Sequence, residues 1–245
     1  MMRCAVGGEV PPGKVLQDIG ELLDELDLIR LLPSGRSLWR AQTHQGPEID
    51  GGATASRLGT APKEFARQPN RMSPAGIPMF YAAEDSSTAL AEVAVHADSS
   101  EDHATIGEFV PSAPLLVLDF TALADYVSVF DSDRGHLRRE INFLNEFVAS
   151  LRRPIAAGDE AIEYVPTQIM TEYFLRIYET TASERPRIVG IRYPSAVVEG
   201  GVSLVLDVNH RHCIDEGSTL AGGDLHLVLR NSSVQTQLIS SSSSR

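Results

Sequence analysis

Cysteine is nearly missing from this 245-residue chain: the two present, Cys4 and Cys213, stand far apart and form no CxxC pair. That spacing gives neither a disulfide framework nor a zinc knuckle, and it fits a reducing compartment. Long apolar runs are missing as well. No stretch approaches the roughly 18–20 residues that a membrane crossing requires, and Met1 to Gly13 has neither the basic start nor the apolar stretch of a signal peptide. The expected location is the cytoplasm, with no membrane role. Cationic residues are in deficit, with 21 Lys and Arg against 33 Asp and Glu and a net charge of −12 at pH 7. A field of that sign repels polyanions, which excludes direct nucleic-acid binding as the leading function. A phosphate-bearing substrate would need a local group of arginines.

The common cofactor signatures are missing too. There is no GxxxxGKS/T loop, no GxGxxG after a strand, no HExxH and no GxSxG. P-loop, dinucleotide-fold, zincin and α/β-hydrolase readings lose their support. The nearest approach to a metal cluster is Asp207, His210, His212, Cys213 and Asp215. The group lacks a second ligand set at metal-site spacing, so a solvated turn is the better reading and no metal is expected.

What is present is ordinary globular material, with 42% hydrophobic and 22% charged residues. Leu16, Ile19, Leu22, Leu23, Leu26 and Ile29 follow helical spacing, which predicts a helix over Val15 to Leu32, stopped by Pro33-Ser34-Gly35. Further helices are expected from Ser86 to His96 with Asp85 as N-cap, near Asp133 to Arg152, and from Pro166 to Tyr178. Strand patterns cover Ser37 to Gln42, Pro78 to Ala82, Ile106 to Val110, Leu115 to Phe120, Arg187 to Tyr193, Val202 to Val208 and Asp224 to Leu229. Strands and helices do not alternate strictly, so the fold class is α+β rather than a doubly wound parallel sheet. The expected organisation is a helical extension over 1–36, a catalytic domain over 37–232 and a disordered tail over 233–245. The stretch from His44 to Ala75 is long enough to suggest a substrate-covering loop.

Arginine is the first residue type that invites chemistry. Arg40 lies inside an apolar strand beside Trp39, Arg71 precedes a strand in NRMSPAG, and Arg57 and Arg67 lie in the loop between. A guanidinium offers planar, bidentate bonds to phosphate oxygens. The bland alternative for each is a surface charge or an internal ion pair, and Arg40 fits that alternative least. Glu92 sits in DSSTALAEVAVH on the helical side of Thr88 and His96, where taken alone it reads as the exposed stripe of an apolar helix.

Two blocks shift that balance. NRMSPAGIPMFYAAEDSSTALAEV, Asn70 to Val93, resembles the most characteristic segment of the RES-domain family, and GIRYPSAVVEGGVSLVLD, Gly190 to Asp207, resembles its Gly-Ile-x-Tyr-x-Ser segment with the Gly-rich turn and strand that follow. The family takes its name from Arg, Glu and Ser, which match Arg40, Glu92 and Ser195 here. The similarity spans roughly Leu38 to Leu229. Met72 stands where the family usually has an aromatic residue, which alters the expected pocket wall.

The resemblance implies an ADP-ribosyltransferase-like mixed sheet core with flanking helices and a small N-terminal helical extension. It further implies an NAD⁺-degrading enzyme that splits the nicotinamide–ribose bond by phosphorolysis or hydrolysis, often the toxin of a bacterial toxin–antitoxin pair whose antitoxin protein blocks the active site. By motif match, Arg71, Tyr81, Glu92 and Ser195 are the catalytic set. Arg40, Arg71, Tyr81, Gln168 and Ser195 bind substrate, the arginines holding pyrophosphate or incoming phosphate and Tyr81 lining the nicotinamide–ribose pocket. No cofactor is bound permanently; NAD⁺ is substrate, with inorganic phosphate as an acceptor. Ser195 is expected to donate to phosphate or ribose rather than act as a nucleophile. The rival readings are a protein ADP-ribosyltransferase of the same fold, a non-catalytic dinucleotide-binding module and an interaction protein engaging an antitoxin.

Overall fold

Leu16, Ile19, Leu22 and Leu23 form the apolar stripe of helix α1, Pro12–Glu25, but the helix stops at Glu25 rather than Leu32. Asp27 turns the chain with a left-handed φ of 52°, and Ile29–Leu32 is instead strand β1. Apolar residues at 28, 29, 31 and 32 suit a helical stripe and a short strand alike, and main-chain pairing with another strand settles the choice. The computed structural model describes residues 12–124, 127–128, 130–131, 135–153, 160–178, 187–219 and 225–239.

The strands that follow are β2 Leu38–His44, β3 Phe80–Ala83, β4 His103–Pro111, β5 Leu115–Asp119, β6 Gly190–Pro194, β7 Val202–Leu206, β8 Cys213–Asp215, β9 Leu227–Leu229 and β10 Gln235–Leu238. The remaining helices are α2 Ala55–Leu58, α3 Ser86–Val95, α4 Arg138–Arg152, α5 Glu160–Glu163 and α6 Val165–Glu172. Past α6 the chain continues as π-helix over Tyr173–Ile177, so the expected helix to Tyr178 changes its hydrogen bonding midway. The strands make one mixed sheet in the order β1-β5-β6-β7-β3-β2-β4-β9-β8, with β10 also paired to β4. Only β5–β6 and β8–β9 run parallel. The class is α+β with a small N-terminal helix, as expected.

Three strands escaped the pattern. β1 was hidden in the helical stripe, β8 is too short to show a period, and β10 lies inside the expected tail. Gln235–Leu238 carries no apolar alternation, yet its main chain pairs with Ala104 and its neighbours on β4. The tail expectation is corrected there; residues 240–245, Cys4, Asp133 and Asp224 lie outside the described residues.

Side chains alternate between the faces of the sheet. One face gathers Leu118, Ile191 and Val205 with Leu22 and Leu23 of α1, Leu144 and Phe147 of α4, and Phe174. The other gathers Leu38, Phe80, Phe109, Val117, Leu204 and Leu206 with Leu58 of α2. Near the middle the sheet forks. β2 pairs with β4 from Leu38↔Phe109 to His44↔His103, but it meets β3 through Trp39↔Ala83 alone. Helix α3 lies across that fork, with Ala89 packed on Ala41, Ala83 and Ile106.

Candidate active site

Helix α3 begins where Asp85 accepts the Thr88 amide at 2.8 Å and the Thr88 hydroxyl at 2.7 Å, the cap expected from the sequence. Its small residues let it settle close to the sheet. Gly201 completes the fit, since a Cβ there would stand 2.7 Å from Thr88 Oγ1. The close approach carries Glu92 to the end of β6 and the start of β7, where Ser195 donates to its Oε1 at 2.6 Å and Ser203 donates to the same oxygen at 3.1 Å. Glu92 is therefore half-buried and engaged, not the exposed stripe of its helix.

Ser195 is 1% exposed. Its only proton goes to Glu92, while its oxygen accepts the amides of Val197 at 3.1 Å and Val198 at 3.0 Å. This differs from the expected donation to phosphate or ribose: the hydroxyl is fully used in orienting Glu92 and shaping the turn after β6.

Tyr193 precedes Ser195 by two residues and so leans toward the same face, and its cross-strand partner on β7 is Ser203. Burial pushes its phenol well above the ordinary range, and neighbouring Tyr81 and Glu92 push further against a weaker pull from Arg71. Tyr81 projects from β3 to the same face, its hydroxyl 3.1 Å from Ser73 Oγ. Burial raises its pKa to about 12, against the opposing pulls of Ser73, the Met72 main chain and Arg40. Both phenols thus stay protonated near neutral pH and can act as hydrogen-bond donors.

The arginines divide. Arg71 donates to the carbonyls of Ser150 and Arg153, each at 2.8 Å, closing the C-terminal end of α4, and stacks 5.4 Å from the Tyr164 ring centroid. Its own carbonyl accepts from Thr167. Gln168 reaches the same turn, donating to Asn70 O at 2.9 Å and Ser73 O at 3.4 Å. Gln168 thereby fixes the segment that carries Arg71 and Ser73. Met72, in that segment, is 1% exposed and packs in the core cluster that Tyr81 and Tyr193 border.

Arg40 lies on the opposite face of the sheet. It donates to Leu58 O and Tyr81 O, both at 2.6 Å, and stacks 5.1 Å from the Phe80 centroid. Burial lowers its pKa, partly offset by Cys213 and Tyr81 nearby. Standing just beyond the single Trp39↔Ala83 pair, it ties the two sides of the fork together. Arg57 lies on the short helix α2, bonded to Asp50 O and Gln42, and Arg67 lies in the loop after it, bonded to Glu64 O.

Glu92 and Ser195 are thus in direct contact, with Arg71 and Tyr81 in electrostatic reach through Tyr193, while Arg40 meets the group only from the far side of β3. Sequence reasoning missed Tyr193, Ser203 and Ser73. The signal for Tyr193 was its two-residue spacing from Ser195 on a strand; for Ser203 it was a lone hydroxyl inside the apolar run VSLVL. The Asp207–Asp215 group is dispersed, Asp207 pairing with Arg176 and Arg187 and Asp215 accepting the Ala55 amide. Among the described residues no group of His, Cys, Asp and Glu is placed to hold a metal ion, and no helix is long and apolar enough to cross a membrane.

The family model described as the RES domain matches residues 37–227, more than three quarters of the chain. No curated protein matches it.

Proposed function

This chain belongs to the RES-domain family, and from that premise we propose that it cleaves the nicotinamide–ribose bond of NAD⁺. The observation that carries the reading is the Glu92 carboxylate, whose Oε1 is bound by two serine hydroxyls while Oε2 has no hydrogen-bond partner among the described residues. When the C1′–N bond breaks, both electrons leave on the nicotinamide ring nitrogen, which becomes neutral. The ribose is left with positive charge shared between C1′ and its ring oxygen, as in other oxocarbenium-like glycosyl transfers. A fixed carboxylate stabilises that charge, and preorganised charge of this kind contributes several kcal/mol in the transition state.

Water attacking C1′ releases a proton and gives ADP-ribose; phosphate attacking there gives ADP-ribose 1″-phosphate. In this reading Tyr81 and Tyr193 donate to ribose or nicotinamide oxygens. Arg71 uses two of its five N–H donors on main-chain carbonyls, and the rest serve pyrophosphate or incoming phosphate. Arg40, turned to the other face at the fork, leaves the phosphates to Arg71. Cleavage of cellular NAD⁺ suits a toxin held in check by an antitoxin protein that covers this site. The test is product analysis of the purified protein with NAD⁺, with and without phosphate. Nicotinamide together with ADP-ribose or its 1″-phosphate is expected; absence of nicotinamide release overturns the reading.

A further inference from the structure

Ser203 makes one of the two hydrogen bonds that Glu92 receives among the described residues. It stands on an inner strand between Tyr193 of β6 and Ala83 of β3, and it is 4% exposed. A hydroxyl buried there is costly unless it is bonded, and Glu92 Oε1 is its one side-chain partner among the described residues. Ser195 differs, because its oxygen also accepts two amides and shapes a turn. Both serine protons converge on one carboxylate oxygen. Turning the carboxylate plane out of this orientation would surrender both bonds together, so the pair fixes that plane and leaves the other oxygen, Oε2, unbonded among the described residues.

We propose that Ser203 is a positioning residue of the cleavage reaction: with Ser195 it locks the Glu92 carboxylate so that Oε2 is the oxygen presented to the ribose. The proposal rests on the NAD⁺-cleaving reading of the site. Ser203 keeps its proton throughout and touches no substrate.

The experiment compares wild type with Ser203→Ala, Ser203→Thr and the Ser203→Ala/Glu92→Gln double variant. Nicotinamide release is followed by steady-state kinetics at neutral pH, and the hydrogen bonding of the Glu92 carboxyl is read from its ¹³C NMR resonance, assigned by its loss in Glu92→Gln. Ser203→Ala is expected to lower kcat about 10-fold through lost alignment, with KM changed less than about twofold because ground-state binding is untouched. Along with the fall in kcat, the Glu92 carboxyl resonance should shift, because one of its two hydrogen-bond donors is gone. Ser203→Thr, which keeps the hydroxyl, should restore both, and Ser203→Ala should cost nothing further once Glu92 is Gln. An unmoved Glu92 resonance, an unchanged kcat or an equal loss in the double variant each overturns the proposal. Should Ser203→Ala not fold, Ser203→Cys is read by the same criteria. If wild type releases no nicotinamide, the cleavage reading fails by itself, and the Glu92 resonance in Ser203→Ala still decides whether Ser203 holds the carboxylate.

Discussion

Arg192 and Tyr193 are neighbours on one strand, yet they serve two charged regions on opposite faces of the sheet. Arg192 donates to both oxygens of Glu84, at 2.9 and 2.8 Å, and to both oxygens of Asp119, each at 3.0 Å, and it also contacts Thr121. Arg36 adds a second cation at 2.9 Å from Glu84. Every carboxylate oxygen in that region has a partner. On the Tyr193 side, Glu92 keeps one oxygen unbonded among the described residues, and two raised phenols stand close by. Both regions draw charged and polar side chains from distant segments, so convergence by itself does not mark function. Saturation separates them: the closed network holds strands together, and the open one retains valence for a ligand.

The largest expected effect falls on the closed side. Arg192→Met leaves the buried Asp119 carboxylate without its cation and Glu84 with Arg36 alone, and breaking such a pair from one side costs about 3–5 kcal/mol. Urea unfolding measures it; a loss under about 1 kcal/mol would erase the distinction drawn here. On the open side, Glu92→Gln preserves shape but removes the charge. Nicotinamide release should fall at least ~100-fold, about 2.7 kcal/mol of transition-state stabilisation, while NAD⁺ affinity and the unfolding midpoint stay near wild type. Near-normal turnover would make Glu92 as structural as Glu84.

Asp85→Ala tests the support between the two regions. Losing the α3 cap should cost about 1 kcal/mol in unfolding, with a far smaller change in kcat than Glu92→Gln. A kcat loss matching that variant would show that the helix start, not the serine pair, sets the carboxylate. The smallest effect is on pH dependence. Burial alone raises the Glu84 carboxyl, but hydrogen bonds and charge from Arg192, with charge from Arg36, outweigh it and hold the pKa below its ordinary 4.5. A lowered folded-state value contributes stability that is present above the ordinary range and lost as pH falls through the lowered one. Wild-type stability should therefore decline below about pH 4.5, and Arg192→Met should flatten that decline; an unchanged slope would remove Glu84 from the network's energetics.

The sequence by itself determined the α+β class, the long helices, the Asp85 cap and the two family blocks that carry Glu92 and Ser195. Those features are local: they rest on apolar period, capping chemistry and short runs of neighbouring residues. Only the tertiary structure decided that Ile29–Leu32 and Gln235–Leu238 are strands, because an edge strand is defined by a partner's main chain and not by its own side chains. It also decided that Arg40 lies across the sheet from Tyr81, that the Ser195 proton goes to Glu92, and that Ser203, more than a hundred positions from Glu92 in sequence, shares the same oxygen. Strand parity and cross-strand register fix those relations, and both are set only when distant segments pair.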